Sequence, residues 1–443
     1  MTAAAWLGAR LRAASPRAIA IAGYLVFLLY AYPGYMATDA VDQLVDSRVG
    51  TFTDWSSPVM TELWRLTGHV LAGPLPMLAV QSGLLLAGAF ALLARVMSRR
   101  AAMAAACGLL LFPPVLATMA VVGPDGQLAG FAIAGAAALT SPRRGWQVAG
   151  AALLVVAAGM SDGSALAIAP IIVLGLELRA GQPRWQRYAV ATAAWLAIAG
   201  AGLGLDRVLV DHATRRPALE LATVDLVGMV RHADHVTDPE LGAALAAVRV
   251  VTTTDVKARA GAWSAHPEQV TVGPRRWFEP PATPAERDAV IAARATLRVA
   301  HPGAYLRHRW QVLTRVLGFG RTPGWDPVYT GFTGTPEQRV AIRHAARHSA
   351  VQRGLVTAVE ALEDTIVFRP YLYAALALAL LGLAIAWRQR AAAMVVASGL
   401  AYDLALMIVT ATPAYRLSLW PIVATVIGGA LLAVAARGRR RAG

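Results

Sequence analysis

Residues 31–60 read "AYPGYMATDAVDQLVDSRVGTFTDWSSPVM". The stretch follows an apolar segment and carries four aspartates, Asp39, Asp42, Asp46 and Asp54. The chain around it is basic, with 41 Lys and Arg against 26 Asp and Glu and a formal net charge of +15. Clustered acids at the mouth of an apolar segment are unusual, and the stretch reads as two short helices. Thr38 is placed to cap the first and Gly50 to end it. Val41, Leu44 and Val45 form its apolar stripe, with Asp39, Asp42 and Asp46 on or near the other face. Ser57 suits the cap of the second helix and Pro58 its first turn. Val59, Met60, Leu63 and Trp64 make its apolar side. Two amphipathic helices lying flat on the outer surface would hold Asp39 and Asp42 at the membrane boundary. Asp46 and Asp54 read as acids that solvate the loop.

Outward from this stretch the chain is a multi-pass membrane protein. Of its 443 residues, 57% are hydrophobic and 15% charged, where a soluble chain carries about 25% charged residues. Candidate spans are Ala18–Tyr35, Pro76–Met97, Ala102–Val122, Gly126–Ser141, Gln147–Met160, Ser164–Leu176, Tyr188–Val210, Phe368–Trp387, Ala391–Thr410 and Leu417–Ala436, about ten in all. The basic clusters "ARLRAASPR", "SRR", "SPRRGW", "RAGQPRWQR", "RQR" and "RGRRRAG" all fall on one side if the N terminus is cytoplasmic, which makes both termini cytoplasmic. The first apolar run reads as an uncleaved helix of the cytoplasmic (inner) membrane. The basic charge therefore orients helices and does not imply nucleic acid. The single cysteine, Cys107, excludes an intrachain disulfide. The expected fold is all-α. A transmembrane module spans residues 1–210 with its first external loop at 36–75. A small, mainly helical external domain follows at 211–367, and C-terminal spans occupy 368–443.

That topology sends the acids outward. Asp125 in "GPDG" and Asp162 in "MSDGS" join Asp39 and Asp42 on the non-cytoplasmic side. Pro-Asp-Gly is also an ordinary turn sequence. A charge at bilayer depth costs about 2.5–3.5 kcal/mol on insertion scales, so such residues usually face a cavity. Arg416 in "TATPAYRLSLWP" stands in a short external loop against the orientation bias, and an arginine fork suits a phosphate. The alternative is a snorkelling side chain pairing with Asp403 or a headgroup. The histidine pairs His232/His235 and His344/His348 are flanked by arginines, which disfavours a cation, and no metal or other cofactor is assigned. Walker, dinucleotide-binding and Gly-x-Ser-x-Gly motifs do not occur.

The layout resembles the GT-C class of membrane glycosyltransferases, which includes protein mannosyltransferases and bacterial relatives using polyprenyl-phosphate sugars. "YMATDAVDQLVDSRVGTFTDWSSPVMTELW" is similar to the acidic first loop of that class, and "GPDGQLAGF" to its second acidic turn. "HPGAYLRHRWQVLTRVLG" and "TPAYRLSLWPIV" resemble later stretches of bacterial members. Asp39-Ala40 stands where relatives carry Asp-Glu. The resemblance implies transfer of a sugar from a polyprenyl-phosphate donor to an envelope glycan, lipid or protein acceptor. It implies Asp39 as catalytic base, Asp42 as second choice and Asp125 as the second acid. Such chemistry needs a carboxylate for the acceptor proton and positive charge for the departing phosphate. Arg416, Arg275 and Arg307 are the expected cations, and Asp162 a further substrate contact. A transporter or flippase using Asp125 and Asp162 as ion sites, and a non-catalytic envelope-assembly protein, are the competing classes.

Overall fold

The apolar stretches of the sequence become helices because their side chains leave water while every backbone group bonds within its own segment. The computed structural model describes residues 14–54, 56–161, 163–177, 184–211, 216–233, 239, 281, 283–320, 325–344 and 348–442. Among them every named element is a helix, and extended pairing is limited to two isolated parallel bridges. Contacts divide the chain into two units. The first comprises Met1–His212, Pro327–Asp403 and Ser418–Gly443, and the second Ala213–Asp326 and Leu404–Leu417. Residues 327–367 cluster with the first unit, and residues 404–417 with the second.

The first unit opens with α1 (Pro16–Ala31), started by Ser15, whose hydroxyl accepts the Ala18 N–H at 3.2 Å. The acidic loop supplies α2 (Thr38–Val49) and α3 (Pro58–Gly68). Then come α4 (Leu75–Leu93), α5 (Arg99–Leu110), α6 (Pro113–Met119), α7 (Pro124–Leu139), α8 (Arg144–Ala158), α9 (Ser164–Glu177) and α10 (Arg184–Leu209). Each expected span overlaps a helix or, for Ala102–Val122, the pair α5–α6. That pair is bent by 67° where Pro113 and Pro114 follow Phe112, since proline cannot continue the preceding hydrogen-bond ladder. Among the described residues, four helical stretches are long and apolar enough to cross a membrane: Leu75–Leu93, Trp185–Leu209, Arg390–Val409 and Tyr415–Arg440. The bent pair makes a fifth. The helices at Pro16–Ala31, Arg144–Ala158, Ser164–Leu176 and Pro370–Ala386 are apolar but shorter.

Helix α7 is the hub of this unit. Every residue from Asp125 to Leu139 is buried, and the helix packs against α4, α8 and α9. Small residues permit the approach. A Cβ on Gly88 of α4 would lie 2.6 Å from the Ala134 nitrogen, and one on Gly150 of α8 2.4 Å from the Leu139 nitrogen. The buried amide of Gln81 caps the backbone beyond α6, donating to the carbonyls of Met119 at 2.8 Å and Val121 at 3.0 Å. Gln127 in turn donates to Gln81 Oε1 at 3.2 Å.

The second unit contains α11 (Arg216–His232), α12 (Pro284–Ala300) and α13 (Pro302–Val316). Thr283 and Glu286 form a reciprocal capping box at the start of α12. Leu226, Val227 and Val230 of α11 pack with Val290, Ala293 and Leu297 of α12. The chain returns to the first unit in α14 (Pro336–Ala341), α15 (Ala350–Glu360), α16 (Pro370–Ala386), α17 (Arg390–Val409) and α18 (Leu419–Ala442), although the last residues of α17 cluster with the second unit.

Candidate functional site

The acidic loop is anchored through backbone before any side chain is considered. Tyr35 N–H donates to the Ala120 carbonyl and Val122 N–H to the Tyr35 carbonyl, both at 2.9 Å. One residue on, Met36 N–H donates to Gly331 at 3.2 Å and Thr333 N–H to Met36 at 3.0 Å. Tyr35 and Met36 thus lie between the segment after α6 and the segment before α14. Gly34 makes the entry with φ +117, a left-handed conformation that glycine adopts without strain. Its carbonyl faces Nε2 of the buried His344 at 3.0 Å.

The bridge between Tyr35 and Val121 is parallel, so both chains run the same way out of it. Three residues later α2 begins on one chain and α7 on the other. Asp39 sits in the first turn of α2 and Asp125 in the first turn of α7. Two carboxylates therefore leave one backbone pairing toward the same end, each near a helix N terminus that favours negative charge.

Their surroundings differ. Asp39 is half-buried and Asp42 exposed. Asp125 is buried and accepts a hydrogen bond from the Tyr402 hydroxyl at 3.3 Å. Asp42 is pushed above the usual carboxylate range by partial loss of water and then by the Asp39 charge. Asp46 is pushed up in the same order, by loss of water and then by Asp42. Tyr329 donates to the Met36 carbonyl at 3.0 Å. Burial raises the pKa of its phenol, and the charge of Asp39 raises it further. A carboxylate with raised proton affinity is the more effective proton acceptor.

The second helix of the loop starts where the sequence indicated, although Leu63 of its expected apolar side is only half-buried. Ser57 accepts the Met60 N–H at 3.1 Å while donating to the Gly159 carbonyl at 2.7 Å. Val59, Met60 and Trp64 are buried. Phe52 and Asp211 exchange two hydrogen bonds, at 2.9 and 3.0 Å, which ties the loop to the end of α10. Two expectations for α2 need correction. Thr38 does not cap it: Ala37 holds that position without a side-chain bond, because the paired backbone at Met36 leaves the helix free to begin only at Thr38. The buried face is Ala40, Val41, Gln43, Leu44 and Ser47, with Val45 only half-buried.

Asp162 and Arg275 lie outside the described residues. Arg307 and Arg416 belong to the second unit. Arg307 is exposed and donates to the His232 carbonyl at the end of α11, at 3.0 Å. Arg416 is half-buried in the short 3-10 turn Tyr415–Ser418. Among the described residues no three His, Cys, Asp or Glu side chains are grouped to hold a metal ion.

Sequence reasoning missed a buried charge cluster in the second unit. Asp225 of α11 is fully buried, with Arg294 Nε at 2.6 Å, His308 Nε2 at 3.1 Å and the Arg309 guanidinium in contact. Arg309 also donates to the Thr410 carbonyl at 2.6 Å. Burial alone would raise the Asp225 pKa, but His308 and Arg309 outweigh it and hold the carboxyl below its usual range. Its signal in the sequence was a lone acid within the apolar run "LATVDLVGMV".

The first unit also holds an apolar cavity of about 220 Å³, lined by Leu93, Leu109, Phe112, Val426 and Ile427 among others. Its walls suit a hydrocarbon and offer nothing to a sugar. Comparison of the chain with protein-family models, curated proteins and solved structures finds no match.

Proposed function

We propose that this protein is a polytopic membrane glycosyltransferase of the GT-C type, with ten spans, flat helices in its first external loop and both termini cytoplasmic. In this reading it moves a sugar from a polyprenyl-phosphate donor to an envelope glycan, lipid or protein acceptor at the outer face of the cytoplasmic membrane. One observation carries the reading: Asp39 and Asp125 each sit second in a helix that begins three residues beyond the same parallel bridge. A transfer site needs carboxylates at a fixed spacing beside the bilayer, and a backbone pairing fixes spacing better than a flexible loop.

The chemistry follows from the residues. The acceptor hydroxyl gives its proton to Asp39 while its oxygen bonds the anomeric carbon. The bond from that carbon to the phosphate oxygen breaks, and its electron pair leaves on the polyprenyl phosphate. Asp42 is the second choice for the base. Asp125, held by Tyr402, orients a sugar or acceptor hydroxyl. A lipid donor explains why the site stands where the chain leaves its first apolar helix, and the 220 Å³ cavity supports a lipid-handling role.

The test is envelope glycan composition in a deletion strain complemented with wild type or Asp39→Asn at matched protein level. A sugar restored only by wild type supports the reading. Equal restoration by both removes Asp39 as the base and advances a non-catalytic assembly role. A transporter is favoured by one separate observation. Asp403 is buried in α17, and its Oδ1 has no hydrogen-bond donor among the described residues. Buried carboxyls in apolar helices commonly mark ion or proton paths. Loss of proton-coupled flux from proteoliposomes in Asp403→Asn, with the glycan unchanged, would put that reading first.

A further inference from the structure

At the far end of α2 three chain segments meet in a corner unused by the proposed transfer chemistry. Arg48, in the last turn of α2, donates from Nη1 to the Ala341 carbonyl at 2.7 Å. Helix α14 then ends in a left-handed cap. Arg343 has φ +57, its N–H reaches the Val340 carbonyl at 3.0 Å, and the His344 N–H reaches Arg339 at 2.9 Å. Glycine is the usual residue at such a position, and arginine there carries strain. The turn rests against Gly73, where a Cβ would lie 2.8 Å from the Ile342 carbonyl oxygen. All three segments belong to the first unit.

What this corner shows to its surroundings is two cations among apolar side chains. Arg48 and Arg343 are both exposed. Neither forms an ion pair with a carboxylate among the described residues. Partial burial and then the charge of Arg343 lower the pKa of Arg48, as expected when two guanidiniums lack an anion between them. Around them Val49 is 72% exposed, Val70 86%, Val340 79% and Leu71 46%. One exposed valine is ordinary. Four apolar side chains on three segments around two uncompensated guanidiniums have the composition of a surface that lies in a lipid interface. The guanidinium fork matches a phosphate, and basic groups beside a leaflet are drawn to its acidic lipids.

We infer that this corner docks on an anionic leaflet: Arg48 and Arg343 bind the phosphate of an acidic phospholipid headgroup, and Val49, Val70, Leu71 and Val340 enter the acyl boundary beside it. The inference is independent of the glycosyl-transfer reading. It fixes the depth of the end of α2 relative to the lipid, whatever the acids at its start do.

The test uses the full chain with Cys107→Ala and Val340→Cys, labelled at the new thiol with a polarity-sensitive fluorophore. It is reconstituted into nanodiscs of phosphatidylcholine alone or with phosphatidylglycerol. A shallow nitroxide lipid should quench the label, and phosphatidylglycerol should strengthen that quenching about twofold or more, since each basic group near an anionic surface contributes roughly a fivefold preference. Arg48→Gln with Arg343→Gln should remove the phosphatidylglycerol effect. Should the double variant not fold, Arg343→Gln alone decides, because it leaves the bond from Arg48 to Ala341 in place. Emission like that in water, no response to phosphatidylglycerol, or an unchanged response in the glutamine variants would each overturn the inference.

Discussion

Along α2, Asp39, Asp42 and Asp46 follow one another, and partial loss of water, then the charge of the preceding acid, raises the proton affinity of Asp42 and Asp46. In α11, Asp225 is closed off from water with Arg294, His308 and Arg309 around it. The same side chain is thus shifted in opposite directions. Among like charges and partly desolvated it takes up a proton readily. Among guanidiniums it stays ionised and braces its neighbours. The first setting suits proton transfer, and the second suits holding a small helical unit together. Perturbation alone does not mark a site, because both settings are perturbed and only their sign and access separate them.

The contrast is broken most severely if Asp39 proves dispensable. Under the proposed transfer reading, Asp39→Asn should lower sugar transfer by about 10²–10⁴-fold, the usual contribution of a positioned base, without lowering protein level. Envelope glycan analysis with quantitative immunoblotting checks both halves. Asp225→Asn should instead leave buried guanidiniums uncompensated and cost on the order of 3–5 kcal/mol, read as a lower unfolding temperature of the purified protein. Because the Asp225 pKa is depressed, its contribution is present above the unfolded carboxylate pKa and lost as pH falls below it. Wild type should therefore lose stability in acid more steeply than Asp225→Asn.

A smaller effect is expected where the cluster meets the backbone. A Cβ on Gly228 would fall 1.9 Å from His308 Nδ1. Gly228→Ala should destabilise by roughly 1–3 kcal/mol, as overpacking does, in the same thermal measurement. The smallest effect sharpens the other side. Asp42 and Asp46 have raised pKa values, so their ionisation costs stability as pH rises through the folded-state pKa. Asp42→Asn should stabilise by about 0.3 kcal/mol at neutral pH, after allowance for solvent screening. The gain should vanish once the solution is acidic enough to protonate the wild-type carboxyl. A gain that persists in acid would mean that α2 is relieved of something other than charge.

The helices were legible because hydropathy is a local property. The start of α3 was legible too, since Ser57 and Pro58 act within one turn. Pairings between distant residues were not. Arg294 stands 69 residues from Asp225, and Tyr329 stands 293 residues from Met36. The bridge that places Asp39 and Asp125 is made by backbone atoms, so no residue type announces it. Thr38 had the chemistry of a cap, yet the pairing one residue before Ala37 decided where the helix could begin. The bend between α5 and α6 was written in Phe112-Pro113-Pro114, but a single apolar run hid it.

Gln81 imposes an order in time. The groups it bonds, at Met119, Val121 and Gln127, all come later in the chain. Synthesis proceeds from the N terminus, so helix α4 is complete while the amide at its middle still has none of these partners. Until α6 and α7 are made, that amide must be carried by water, by lipid headgroups or by the insertion machinery. A pause between the second and fourth apolar segments would be the stage at which this chain is most easily lost to degradation.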